Sequence, residues 1–237
     1  MSGALSASGA PSASSATVIV DLGLGNLRSV EKAVAHAAQE AGIPAPIVTR
    51  DVDAIARADR LIVPGQGAFR DGAAALDEGG GAMRQALSAS IARGTRYLGI
   101  CLGLQLLLDD SEEAKGARGL GVFAGSVVRI PDGVVEDGRA LKVPHMGWNQ
   151  PSVLATSGGD RARALVHAAG EGPWFYFVHS YHAMPIDPDV TAATARYGCL
   201  EITAMLAKGN VVATQFHPEK SQRAGLALLS AFLREAA

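Results

Sequence analysis

The sequence predicts an α/β protein: an open, mixed, mainly parallel sheet with helices on both faces and antiparallel additions in the C-terminal half. Three observations predict it. Short β-branched runs alternate with segments of helical period through the first hundred residues, the pattern of parallel strands joined by crossover helices. From about residue 121 to 216 the text changes to consecutive short strand candidates separated by turn residues, the pattern of antiparallel neighbours. Hydrophobic residues make up 48% of the 237, enough for one full core.

Taken in order, residues 1–16, MSGALSASGAPSASSA, are low in complexity and lack the basic and apolar regions of an export signal. They read as a disordered tail, with one domain over 17–237. "TVIVD" (17–21) reads as a buried strand broken by "GLG". "NLRSVEKAVAHAAQEAG" (26–42) reads as a helix burying Leu27, Val30, Ala33, Val34 and Ala37, with a glycine stop at Gly42. A strand at about 46–49 and a short helix opened by Asp51 or Asp53 follow. "DRLIVP" (59–64) is a third strand, residues 82–93 a helix, and "RYLGI" (96–100) a fourth strand. "LGLQLLLDD" is helical in period. In the second half "GVFAGSVVRI", "RALKVP", "WFYFVHS", "TAATARYG", "EITAMLAKG" and "NVVATQF" read as strands. A closing helix over 221–235 is expected to bury Leu226, Leu229, Phe232 and Leu233.

Several function classes are excluded at this level. A formal net charge of -2 leaves no footprint for nucleic acid. The apolar runs are too short to span a bilayer. Two cysteines cannot make a disulfide framework and fit a reducing compartment, so the expected location is cytoplasmic. Neither C-x-x-C nor H-x-x-x-H spacing occurs, so no metal is expected, and the glycine runs lack nucleotide-binding spacings, so no cofactor is expected either.

What remains is a thiol. Gly99-Ile100-Cys101-Leu102-Gly103 sits where a parallel strand turns into a helix, as in a nucleophile elbow. The turn is sharp, so its flanks must be small, which accounts for both glycines. A thiol at a helix N-terminus gains thiolate character, and the N–H of Leu102 would point at an oxyanion formed beside the sulfur. On this pattern alone a buried structural cysteine is equally admissible. A nucleophile needs a base and an orienting group. His217, in "TQFHPEKS", has Glu219 two residues on, the same face of an extended segment. Cys199, in "YGCLEI", has no such company and reads as a core residue.

With those residues in hand the chain resembles the class I, triad-type glutamine amidotransferases over about 17–237. Gly99-Ile-Cys-Leu-Gly-Leu-Gln105 and Gln215-Phe-His-Pro-Glu219 are similar to the family's two signature motifs, and Pro64-Gly65-Gln66-Gly67 to its oxyanion strand. The resemblance implies a flavodoxin-like fold. It also implies Cys101 as nucleophile, His217 as acid/base, Glu219 as orienting carboxylate, and the backbone N–H groups of Gln66 and Leu102 as oxyanion hole. Gly67, Gln105, Ser180 and Tyr181 would form the glutamine pocket. "DLGLGNLRSV" (21–30), "VPHMGWN" (143–149), "YFVHSY" (176–181) and "FHPEKS" (216–221) resemble one branch of that family. In it, glutaminase subunits pass ammonia to a separate (β/α)8 barrel cyclase in histidine biosynthesis, as a heterodimer. Asn26, Trp148 and Lys220 would then face that partner. Two positions depart from the pattern, Leu22 where an aromatic is usual and Gln66 where an aliphatic is usual; neither is a triad position. The alternatives are a glutaminase subunit of another synthase, a partner-free γ-glutamyl thiol hydrolase, and a non-catalytic binding module that retains the elbow.

Overall fold

A computed structural model describes residues 16–235; the expected tail otherwise lies outside the described residues. The first half follows the predicted alternation: β1 (Thr17–Val20), α1 (Leu27–Ala41), β2 (Ile47–Thr49), α2 (Val52–Arg57), β3 (Arg60–Gly65), α3 (Phe69–Ala92), β4 (Arg96–Cys101) and α4 (Leu102–Gln105). Then come β5 (Asp110–Ser111), β6 (Gly125–Arg129), β7 (Val135–Glu136), β8 (Arg139–Ala140), β9 (His145–Asn149), β10 (Pro151–Val153) and α5 (Gly159–Ala168). β11 (Phe175–His179), β12 (Tyr181–Pro185), β13 (Thr191–Tyr197), β14 (Leu200–Lys208), β15 (Val211–Thr214) and α6 (Gln222–Arg234) complete it, with a 3-10 turn at Pro218–Lys220 before α6.

The main sheet has eight strands in the order β10-β13-β14-β15-β4-β3-β1-β2. β2, β1, β3, β4 and β15 run parallel; β14, β13 and β10 add antiparallel to one side. Alternate residues of each parallel strand feed opposite faces, as the two-residue period demands. Ile19, Ile62, Leu98, Ile100 and Val212 pack with α1, α5 and α6, while Val18, Leu61, Val63, Tyr97 and Ala213 pack with α2 and α3. α1 buries Val30, Val34, Ala37 and Ala38, and Gly42 ends it in the left-handed conformation (φ +71°), which only a residue without Cβ adopts freely.

Several expectations are corrected. The second-half strands do not all join the main sheet: β9 pairs with β11 in a separate ribbon, and β12-β6-β5 form a third sheet. "RALKVP" yields only the two-residue β8. α5 lies in a gap between the strand candidates, where no helix was expected, and α3 begins at Phe69, thirteen residues early. Glu78–Gly81 break its helical geometry, so the expected helix is its second half alone. α6 buries Leu228 rather than Leu226, which is half-buried. Cys199 is exposed, not in the core. It sits with Gly198 (φ +61°) in the two-residue turn joining β13 to β14, where Tyr197 pairs with Leu200, and a tight turn has no interior.

Candidate active site

The elbow is built by β4. Cys101 closes that strand with φ +53° and ψ −101°, a conformation that side-chain-bearing residues avoid at a cost of about 1–3 kcal/mol. The strain is held by packing. A Cβ on Gly103 would stand 1.8 Å from the Val63 carbonyl oxygen, and one on Gly99 2.6 Å from that of Gly103, so both positions require glycine, as the motif implied. The buried Tyr97 hydroxyl donates to the Gly103 carbonyl (3.1 Å). The helix beyond is shorter than its period suggested: α4 ends at Gln105, so a long helix dipole does not act on the sulfur.

His217 and Glu219 arrive from the far end of the chain. β15 lies beside β4, pairing Ala213 with Gly99 and Thr214 with Ile100, which carries the following residues toward the Cys101 end of β4. The His217 N–H donates to the Tyr176 carbonyl (2.9 Å), and its own carbonyl accepts from Ser221 Oγ (2.6 Å). Glu219 reaches the imidazole from a 3-10 turn rather than an extended segment, with its Oε1 2.8 Å from Nδ1. Both side chains are almost wholly buried. Burial alone would push the imidazole down. The adjacent Cys101 and Glu219 side chains outweigh it and hold the ring up, at about 9. Nε2 makes no well-aligned hydrogen bond among the described residues, although Cys101 is near enough to act on the ring. A buried thiol, imidazole and carboxylate in this order can form a thiolate–imidazolium pair, attack an electrophilic carbon and move a proton to a leaving group.

Cys101 opens on a cleft of about 370 Å3 lined by Gln66, Gly67, Gln105, Glu113, Pro144, Val178, His179, Ser180, Tyr181 and Lys220. All four residues expected in the glutamine pocket stand there. Lys220, expected at a partner surface, lines the same cleft. Asn26 is exposed and accepts from the Ser29 N–H (3.3 Å) as the N-cap of α1. Trp148 is exposed on β9, edge-on to Tyr176 at 5.9 Å, with exposed Met146 two residues before it and exposed Trp174 lining the same surface groove. The Gln66 amide comes within 3.5 Å of His217 Nδ1, a polar contact that an aliphatic residue there would not make.

Two residues in the site carried no assigned role in the sequence reading. Gln215 is fully buried and directs its Nε2 at the Cys101 sulfur (3.6 Å). Glu113 brings a carboxylate to the cleft and accepts from the Phe69 N–H (2.7 Å) at the start of α3. Gln215 stood inside a quoted motif; Glu113 lay in "DDSEE", where nothing separates it from neighbouring carboxylates.

The profile of the "Glutamine amidotransferase class-I" family matches residues 19–236. The chain is 45% identical over 214 residues to "Imidazole glycerol phosphate synthase subunit HisH" of Geobacter sulfurreducens, covering 90% of this chain and 96% of that one. It is also 45% identical over 221 residues to the protein of the same name from Methylococcus capsulatus, covering 93% and 96%. Among solved structures, PurLQS from Thermotoga maritima superposes with a TM-score of 0.64 at 18% identity, over 93% of this chain and 98% of that one. The glutaminase domain of Trypanosoma brucei CTPS with bound acivicin gives 0.61 at 16%, over 93% and 94%. These structures share the fold. With the profile spanning nearly every described residue and relatives this similar along their whole length, the chain belongs to the class-I glutamine amidotransferases.

Proposed function

We propose that this chain works in the cytoplasm as the glutaminase subunit of imidazole glycerol phosphate synthase, supplying ammonia to a (β/α)8 barrel cyclase partner. The carrying observation is the buried Cys101–His217–Glu219 cluster at a cleft of small-molecule size, in a chain 45% identical to relatives of that name. The Cys101 thiolate bonds to the side-chain amide carbon of glutamine, and the carbonyl electron pair moves to oxygen. Backbone N–H groups of Gln66 and Leu102 hold that oxyanion. As the C–N bond breaks, the His217 imidazolium gives its proton to the departing nitrogen and ammonia leaves. Water, deprotonated by His217, attacks the thioester; glutamate departs and the thiolate is restored. Glu219 holds Nδ1–H throughout and keeps the imidazolium in place. Gly67, Gln105, Ser180 and Tyr181 seat the substrate, and the Glu113 carboxylate complements its α-ammonium group. Neither a metal nor a cofactor enters any step.

Released ammonia would protonate in water and lose its nucleophilicity, so it must pass directly to the cyclase. The exposed apolar Met146, Trp148 and Trp174 fit an interface with that partner, to which Asn26 and Lys220 also belong in this reading. The test is Cys101→Ala assayed with the cyclase and its ribotide substrate. Glutamine-dependent turnover is expected to vanish while free ammonia still drives the cyclase. Retained glutamine turnover would refute the nucleophile assignment, and full glutaminase activity without any cyclase would favour a partner-free hydrolase.

A further inference from the structure

His145 and His179 are buried, face each other across the β9–β11 ribbon, and have no part in the chemistry above. Their registered pairing puts both rings on the inner face of the ribbon. His145 stacks on Phe177 (4.9 Å between centroids), and Tyr197 lies at 4.4 Å. His145 Nδ1 is 3.1 Å from His179 Nε2, Asn149 Nδ2 is 3.3 Å from His145 Nε2, and His179 Nδ1 is 2.8 Å from the Tyr181 carbonyl oxygen. That carbonyl also accepts from Gln105 Nε2 (3.2 Å). Gln105 Nε2 approaches Gln215 Oε1 (3.4 Å), and Gln215 Nε2 approaches the Cys101 sulfur (3.6 Å).

One proton arrangement satisfies every contact. The Tyr181 oxygen can only accept, so His179 must carry its proton on Nδ1 and leave Nε2 as an acceptor. His145 must then donate from Nδ1, and its Nε2 accepts from Asn149, whose amide also donates to the Arg196 carbonyl (2.8 Å). Both rings are neutral in this arrangement. Burial agrees with it, pushing His145 down to about 4 and His179, which also faces His145, His182 and His217, down to about 3. The same strand carries the exposed Met146 and Trp148 on its other face.

We propose that His145 and His179 are positioning residues: a relay of two neutral, Nδ1-protonated rings that fixes the Tyr181 carbonyl and, through the Gln105 and Gln215 amides, ties the Cys101 sulfur to strand β9. The proposal rests on the reading of Cys101 as the nucleophile. It makes the β9 strand, rather than a loop, the mechanical support of the cleft.

The relay is tested first by nitrogen-15 NMR of the intact chain near neutral pH. Both histidines are expected to show protonated Nδ1 and unprotonated Nε2, the less common tautomer in water. An Nε2-protonated form, or a charged ring, at either residue overturns the relay. Kinetics of the assembled complex supply the second readout. His145→Phe keeps a ring against Phe177 but removes the donor, and should lower kcat/KM for glutamine tenfold or more. His145→Asn returns a donor at the Nδ1 position and should recover most of that loss. Equal kcat/KM in the Phe, Asn and parent proteins, or losses that merely follow thermal stability, would reduce the pair to core packing. Loss of activity on replacing Cys101 is a separate result, so a failed relay and a failed nucleophile are told apart.

Discussion

His217 is the residue whose behaviour most directly reports the site. Its ring is nearly inaccessible, which favours the neutral form, yet Cys101 and Glu219 hold it above its ordinary value of 6.5, at about 9. A group raised on folding contributes stability that is complete below its unfolded value and disappears as pH rises through its folded one. The contribution of the protonated ring is therefore full below about pH 6.5 and is lost toward about pH 9. Cys101→Ala removes the larger raising influence and leaves burial opposed by Glu219 alone. An NMR titration of that variant should show the His217 midpoint moving down; an unchanged midpoint would contradict a thiolate–imidazolium pair. At this scale the Cys101, His217 and Glu219 cluster was legible because each lies in a short motif whose spacing has a mechanical reason. Gln215 and Glu113 were not assigned, since the first acts across a tertiary contact and the second differs from its acidic neighbours only by where the backbone sends it. Cys199 was misplaced because a core reading looked at residue type, whereas Gly198 already marked a turn.

Among the elements, β9 has two distinct sides. His145 and Asn149 point into the ribbon's hydrogen-bond network, and Met146 and Trp148 stand exposed on the alternate positions. An exposed tryptophan beside a methionine is the composition of an interface anchor. Trp148→Ala is expected to weaken association with the proposed cyclase partner by about 10–100-fold in calorimetry, on the order of 1.4–3 kcal/mol, with the free chain's fold unchanged. Undiminished affinity would move the interface elsewhere. The parallel strands and α1 could be read from the text because their periods are clean and their ends are punctuated by glycine or proline. The first half of α3 could not: Gly72 lies inside it and Gly79, Gly80 and Gly81 follow, so propensity argues against a helix that packing against Leu102 and Leu106 nonetheless secures. α5 was hidden by its neighbours, ten residues set among strands. α4 ran short because residues beyond Gln105 turn to supply Leu106, Leu107 and Leu108 to the core and to open a separate small sheet.

Over the whole molecule, the last described residue acts as a clasp. Glu235 accepts from Arg161 on α5 (2.9 and 2.6 Å) and from Arg96 at the start of β4 (3.1 Å), while its carbonyl accepts from Arg60 on β3 (2.9 Å). The carboxylate is largely shielded, at 18% exposed, so these charge-assisted bonds are weakly screened. Glu235→Ala should lower unfolding free energy by about 2 kcal/mol, a shift of several degrees in Tm by calorimetry. No change in Tm would mean that helix packing alone fixes the end of α6. The sheet order carries a further consequence for synthesis. β4, which bears the strained thiol, is flanked by β3 on one side and on the other by β15, made more than a hundred residues later. While the ribosome is still extending the chain, the elbow strand lacks one of its two neighbours, and Cys101 lacks both His217 and Glu219. With Cys101, His217 and Glu219 in the roles proposed above, a nascent fragment ending before His217 is expected to be inert toward glutamine. An interrupted product that lacks these residues is expected to be metabolically silent rather than a wasteful glutaminase.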